Sequence, residues 1–197
     1  MDHTADRIIM GIDPGTSVLG YSMLQCPKNG TPRILALGVL KLNKFQDHYV
    51  RLRKIYERAV SLIDEFHPDE LAIEAPFYAK NVQSMLKLGR AQGTVITVAL
   101  SRSIPVFEYA PRKIKLAVTG KGAASKEQVA RMLQTMFHMD GLPEYFDATD
   151  ALAASVCHYF QKELPVPPAS GTARRTTSHK GSWNDFVRNN PDRIVTT

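Results

Sequence analysis

Long apolar runs are missing from this chain. No stretch approaches the ~20 residues that a membrane-spanning helix requires, and the opening MDHTADR carries no hydrophobic segment of a secretory signal. Cysteine is scarce: Cys26 and Cys157 cannot build a disulfide framework and have no metal or redox spacing. Catalytic signatures are missing as well, with no HExxH helix, no GxSxG elbow and no Walker-A loop. Together these absences exclude helical membrane proteins, disulfide-stapled secreted modules, HExxH metalloproteases, elbow-type serine hydrolases and P-loop NTPases. The expectation left is a cytoplasmic, reduced protein that does not engage a membrane.

What is present is an ordinary globular composition, 44% apolar and 22% charged, at a length that suits one domain with a tail. The formal net charge is +6, and half of it falls in residues 164–197, which hold five basic and two acidic residues. A mildly basic body with a basic tail is compatible with a polyanionic partner, but many basic proteins bind no nucleic acid, so charge alone decides nothing. The domain is therefore read as residues 1–163. The remainder, rich in Pro, Ser, Thr and Arg, is expected to be disordered. Within it Trp183, Phe186 and Val187 suit either a brief docking segment or no interaction at all. There is no internal repeat.

The run IIMGIDPGTSVLGY (Ile8–Tyr21) organises the rest. Its β-branched start predicts a buried strand, Pro14-Gly15 a tight turn, and the alternation Val18, Gly20, Ser22, Leu24 a returning strand. Arg33–Leu42 reads as a third antiparallel strand. Asp47 can cap a helix over His48–Phe66, whose Leu52, Ile55, Tyr56, Ala59, Leu62, Ile63 and Phe66 recur at helical spacing. A strand Glu70–Glu74, a loop Ala75–Lys80 and a long helix Asn81–Arg102 follow. The apolar second half of that helix is expected to be buried, and Gly89 and Gly93 to permit close approach of a neighbour. Next come a strand Pro105–Tyr109, a short helix from Pro111 to about Thr119, a helix opened by a Ser125/Gln128 capping box, and a last helix over about Tyr145–Glu163. The order predicts an α/β fold with a five-stranded mixed sheet flanked by helices.

Asp13 and Glu74 close two strands, while Asp147 and Asp150 stand at i, i+3 in the first turn of the last helix. Each has a plain alternative: Asp-Pro-Gly is common turn chemistry, and helices often begin with Asp because of the helix dipole. The small residues Ala151, Ala153 and Ala154 nevertheless suit a helix packed closely on a sheet, which would bring all four acids together. Several carboxylates in one place call for hard divalent cations, Mg²⁺ or Mn²⁺. Two such ions about 3.5–4 Å apart clamp both oxygens of a phosphoryl displacement.

The motifs GIDPGT, AIE followed by Phe77 and Ala79-Lys80-Asn81, LKLG, PVFEYAPR and DATDALAAS occur in order over residues 7–163. This series resembles the RuvC family of crossover-junction endodeoxyribonucleases, which resolve four-way (Holliday) DNA junctions. The resemblance implies an RNase H-like fold and a homodimer on one junction. It also implies Mg²⁺-dependent paired nicks in recombination and repair, and a RuvA–RuvB branch-migration helicase as partner. By motif position it implies that Asp13, Glu74, Asp147 and Asp150 are the catalytic metal ligands. Lys126 and Lys115 would lie near the scissile phosphate, and Phe77 would stack on bases near the crossover. Lys80 and Lys121 are further candidates for DNA contact. For Phe77 the plain alternative is a core aromatic at a loop edge; for the lysines it is a solvated surface.

Two departures stand out. Ala75-Pro76 follow Glu74 where the family often has glutamine, and the tail after Glu163 matches no family motif. Three rivals are carried: an actin/Hsp70-type ATPase, for which the chain is too short, a catalytically silent junction-binding protein, and a nuclease of the same fold acting on another DNA structure.

Overall fold

The computed structural model describes residues 6–76 and 81–163. Within them an antiparallel meander, β1 (Arg7–Asp13), β2 (Val18–Cys26) and β3 (Arg33–Lys41), leads into helix α1 (His48–Phe66). Strand β4 (Glu70–Glu74), α2 (Val82–Ser101) and β5 (Val106–Tyr109) follow. Three helices close the fold: α3 (Pro111–Thr119), α4 (Lys126–Phe137) and α5 (Phe146–Glu163). The sheet order is β3-β2-β1-β4-β5, with β4 parallel to β1 and β5 parallel to β4. This is the five-stranded mixed sheet expected from the sequence.

Period-two alternation sorts the strand residues onto the two faces of the sheet. Met10, Ile12, Leu71 and Ile73 pack with α1 and α2, whereas Ile9, Ala72 and Tyr109 pack with α3, α4 and α5. Asp13, two residues on from Gly11, and Glu74, two on from Ala72, therefore fall on the α5 side. The carboxylates emerge where β1 and β4 end.

The caps form as their sequences require. The Asp47 carboxylate accepts from the Val50 amide at 2.8 Å, and Ser125 and Gln128 make both bonds of a capping box. Asn81 caps α2 and Pro111 opens α3. Cys26 and Cys157 are both buried.

Two expectations need correction. Tyr56 is exposed, because it sits at the rim of the α1 stripe rather than on its buried face. Leu100 is exposed although Val95, Val98 and Ala99 beside it are buried, so only one face of the apolar half of α2 meets the core. Gly89 and Gly93 have open space where a side chain would stand, and among the described residues nothing approaches within 4 Å of it. Phe77, Lys80 and the 164–197 tail lie outside the described residues.

Candidate active site

Helix α5 reaches the sheet because the residues between them are small. A β-carbon on Gly11 would stand 2.2 Å from the Ala151 carbonyl oxygen, and one on Gly20 would stand 1.8 Å from the Asp147 carbonyl oxygen. The Ser22 and Ser155 hydroxyls, both fully buried, hydrogen-bond across the same seam at 2.9 Å. Ala148, Ala151 and Ala154 complete a face that lies flat on β1 and β2. Gly20 pairs with Asp13 in the hairpin register, so this contact sets the start of α5 beside the end of β1.

The turn after β1 is tied from its other side. The Arg51 guanidinium donates to the carbonyls of Thr16 at 2.8 Å and Phe45 at 2.6 Å, and the Leu42 and Asn43 amides donate to the Ser17 carbonyl. The Asp-Pro-Gly turn is thereby anchored to the start of α1.

The four acids act on one another electrostatically. Burial pushes Asp13 well above the usual carboxylate range, reinforced by the charges of Glu74, Asp150 and Asp147 and opposed by Lys126. Burial likewise lifts Glu74 to about 7, helped by Asp150 and opposed by Lys126 and Lys115. Asp150 is raised by burial, against the hydrogen bond and charge of Lys126. Burial also works against the Lys126 ammonium, but its bond to Asp150 and the charges of Asp150, Asp13 and Asp147 carry its affinity for the proton above the usual lysine value.

A cleft of about 910 Å³ opens beside this cluster, lined by Glu74 and Asp150 together with Arg112, Lys115, Lys121 and Lys126. Asp13 and Asp147 are outside its lining. Lys115 faces the cleft, whereas the Lys113 ammonium lies 5.0 Å over the Tyr109 ring. Arg112 is a cleft residue that the sequence did not single out, because it is one of several close-set cations; only the helical turn of α3 separates them.

The donor set is oxygen-only, and burial with mutual repulsion raises Asp13, Glu74 and Asp150 above their ordinary values, which suits a hard-dication site. Among the described residues, no three His, Cys, Asp or Glu side chains stand close enough as placed to hold an ion. The Lys126 ammonium occupies Asp150 instead.

The sequence profile of the family described as "Crossover junction endodeoxyribonuclease RuvC" matches residues 9–158. A protein of that description from Porphyromonas gingivalis is 56% identical, covering 96% of this chain and 97% of its own. One from Cytophaga hutchinsonii is 52% identical over 98% of this chain and 90% of its own. The solved structure "T. thermophilus RuvC in complex with Holliday junction substrate" superposes with a TM-score of 0.73 at 30% identity, covering 79% of this chain and 94% of that one.

Proposed function

Because the chain belongs to the RuvC family of crossover junction endodeoxyribonucleases, with its RNase H-like fold, we propose that the acid cluster at the ends of β1, β4 and the start of α5 is its cleavage centre. The protein is an endodeoxyribonuclease that resolves Holliday junctions in DNA recombination and repair. The observation that carries the site assignment is the electrostatic strain on Asp13, Glu74 and Asp150, to which the Asp147 charge adds, beside a cleft lined with cations.

Asp13, Glu74, Asp147 and Asp150 would hold divalent cations. Mg²⁺ is proposed, with Mn²⁺ as a substitute, and two ions would match the charge of four carboxylates. When bound, the ions supply charge neutralisation and Lewis-acid polarisation at the scissile phosphate. Since the carboxylates are not gathered as placed, holding an ion asks these side chains to move toward one another. Lys126 keeps Asp13, Glu74 and Asp150 ionisable by its charge, and Lys115 does so for Glu74 and Asp150. Lys115, Lys121, Lys126 and Arg112 offer the cleft's cations to DNA phosphates. Phe77 and Lys80, on the segment following Glu74, are proposed to meet the junction, Phe77 by stacking.

A homodimer would present two such centres to one junction. Its support is a stripe along α2: Val82, Leu86 and Leu100 are exposed, and Gly89 and Gly93 on the same face have open space beside them. Replacing Leu86 by Glu is expected to yield monomers in sedimentation. Association with a RuvA–RuvB helicase and a cytoplasmic location belong to the same reading. Among the described residues no helix is long and apolar enough to cross a membrane.

The direct test uses a labelled synthetic four-way junction, with linear duplex and flap DNA as controls. Symmetric nicks on opposing strands are expected only on the junction and only with Mg²⁺. Asp13→Asn is expected to bind the junction without cutting it. A cleaving Asp13→Asn protein would overturn the site assignment, and cutting of flaps or duplex would point to another DNA structure as substrate.

A further inference from the structure

Beneath the acid cluster lies a second polar group that the cleavage chemistry does not use. Glu70, Tyr109 and His158 are all buried, at 8%, 7% and 1% exposure, on the face of the sheet covered by α5. The Tyr109 hydroxyl lies 2.5 Å from His158 Nδ1, and His158 Nε2 lies 2.8 Å from Glu70 Oε2. The imidazole also packs on the Phe107 ring, with centroids 4.3 Å apart.

The direction of this chain of bonds follows from its members. Burial and the Arg7 charge depress His158 to about 4, so at neutral pH the ring carries one proton. With Glu70 ionised, its carboxylate accepts from Nε2, which then carries that proton. Nδ1 is then an acceptor, and the Tyr109 hydroxyl, held protonated by burial up to about 12, donates to it.

What makes the arrangement more than a satisfied core is where its members are attached. Glu70 begins the strand that Glu74 ends. His158 lies two turns beyond Asp150 on α5. Tyr109 is the register partner of Glu74, its carbonyl accepts from the Ala75 amide at 2.9 Å, and Ala110 after it caps α3, which bears Arg112 and Lys115. One hydrogen-bonded chain thus joins, at their buried backs, β4 and α5, which line the cleft with Glu74 and Asp150, and β5, which leads directly into the cleft-lining α3.

We infer that Glu70, His158 and Tyr109 are positioning residues, which together set the separation of Glu74, Asp150 and Lys115 across the cleavage cleft. The inference rests on the cleavage centre assigned above. None of the three touches DNA; each acts through the residue its own element carries.

Tyr109→Phe tests this with the least disturbance, since it removes one oxygen and keeps the ring in the core. Full-length protein is assayed on a four-way junction with Mg²⁺, at a temperature where circular dichroism shows variant and parent equally folded. kcat is expected to fall about tenfold or more, as small misplacements of reacting groups do, while KM for the junction stays within twofold. Glu70→Ala is expected to act alike, and the double variant to be no worse than the poorer single one, because both break one chain of bonds. An unchanged kcat in Tyr109→Phe, a change in KM alone, or additive losses in the double variant would each overturn the relay. Asp13→Asn run alongside separates the two assignments. If it still cleaves, the centre itself is wrong; if it is dead while the relay variants retain full kcat, only the relay fails.

Discussion

Gly20 and Asp147 meet with no room for a side chain between them: a β-carbon on Gly20 would stand 1.8 Å from the Asp147 carbonyl oxygen. Gly20 also pairs with Asp13 across the hairpin. One glycine therefore fixes the distance between the acid that ends β1 and the acid in the first turn of α5. Neither the strand backbone nor the helix backbone can yield as a flexible side chain would.

Gly20→Ala is accordingly expected to lift the start of α5 from the sheet. Overpacking of this kind costs about 1–3 kcal/mol, so a lower urea midpoint is expected. Cleavage should fall further than stability does, by tenfold or more, in protein that is still folded and still binds the junction. Parent-like cleavage by the alanine variant would show that the Asp13–Asp147 separation is not set here.

The sequence was explicit about the elements and the acids, and silent about what holds them at their distances. Strand and helix boundaries followed from β-branched runs, the caps at Asp47 and Ser125, and Pro111, while the Asn81 cap came only with the fold. Asp13 and Glu74 could be placed at strand ends, while their common face follows from the β1–β4 pairing. The tight seam at Gly11 and Gly20 could not, since a glycine in a strand does not say which backbone comes close. Glu70, Tyr109 and His158 are far apart in sequence and carry no shared spacing, so only the fold unites them. Gly89 and Gly93 of α2 pose a related case: among the described residues no neighbour fills the space beside them.

Stability in the absence of cations should carry the signature of Glu74. Its folded value of about 7 lies above its ordinary 4.5, so between those pH values the folded state binds more protons than the unfolded one. Stability from this group is therefore lost as pH rises through that window. His158 works the other way, its value of about 4 lying below the ordinary 6.5, so its contribution rises over pH 4–6.5. Comparing Glu74→Gln with the parent in chelator isolates the first effect. The variant is expected to match the parent near pH 4.5 and to exceed it by about 2–3 kcal/mol at pH 8. A gap that stays constant across this range in urea titrations would show that Glu74 is not strained.

Divalent cations should relieve that strain. A ligand at a hundred times its dissociation constant stabilises by about 2.7 kcal/mol, which is about 5–10 °C in Tm for a domain of this size. Thermal denaturation with Mg²⁺ against chelator is expected to show such a rise at pH 8, and Asp13→Asn to lose most of it. An equal rise in the variant would put the ion at some other place on the molecule.

Among the described residues, Lys126 is the cation whose charge lowers Asp13, Glu74 and Asp150 together. Without it all three carboxylates are expected to hold their protons to higher pH, so the ionised cluster that an ion requires forms later in a titration. Lys126→Gln should therefore reduce single-turnover cleavage at pH 7 by about tenfold or more, following the tenfold per 1.36 kcal/mol of barrier. It should also move the rising limb of the pH–rate profile toward alkaline pH, so that part of the loss is recovered near pH 9. The shift distinguishes two roles for this residue. A lysine that only contacted DNA phosphate would lower the rate by a similar factor at every pH and weaken junction binding, most at high salt. Unchanged junction affinity with a displaced limb would identify Lys126 as the group that keeps the acid cluster ionised.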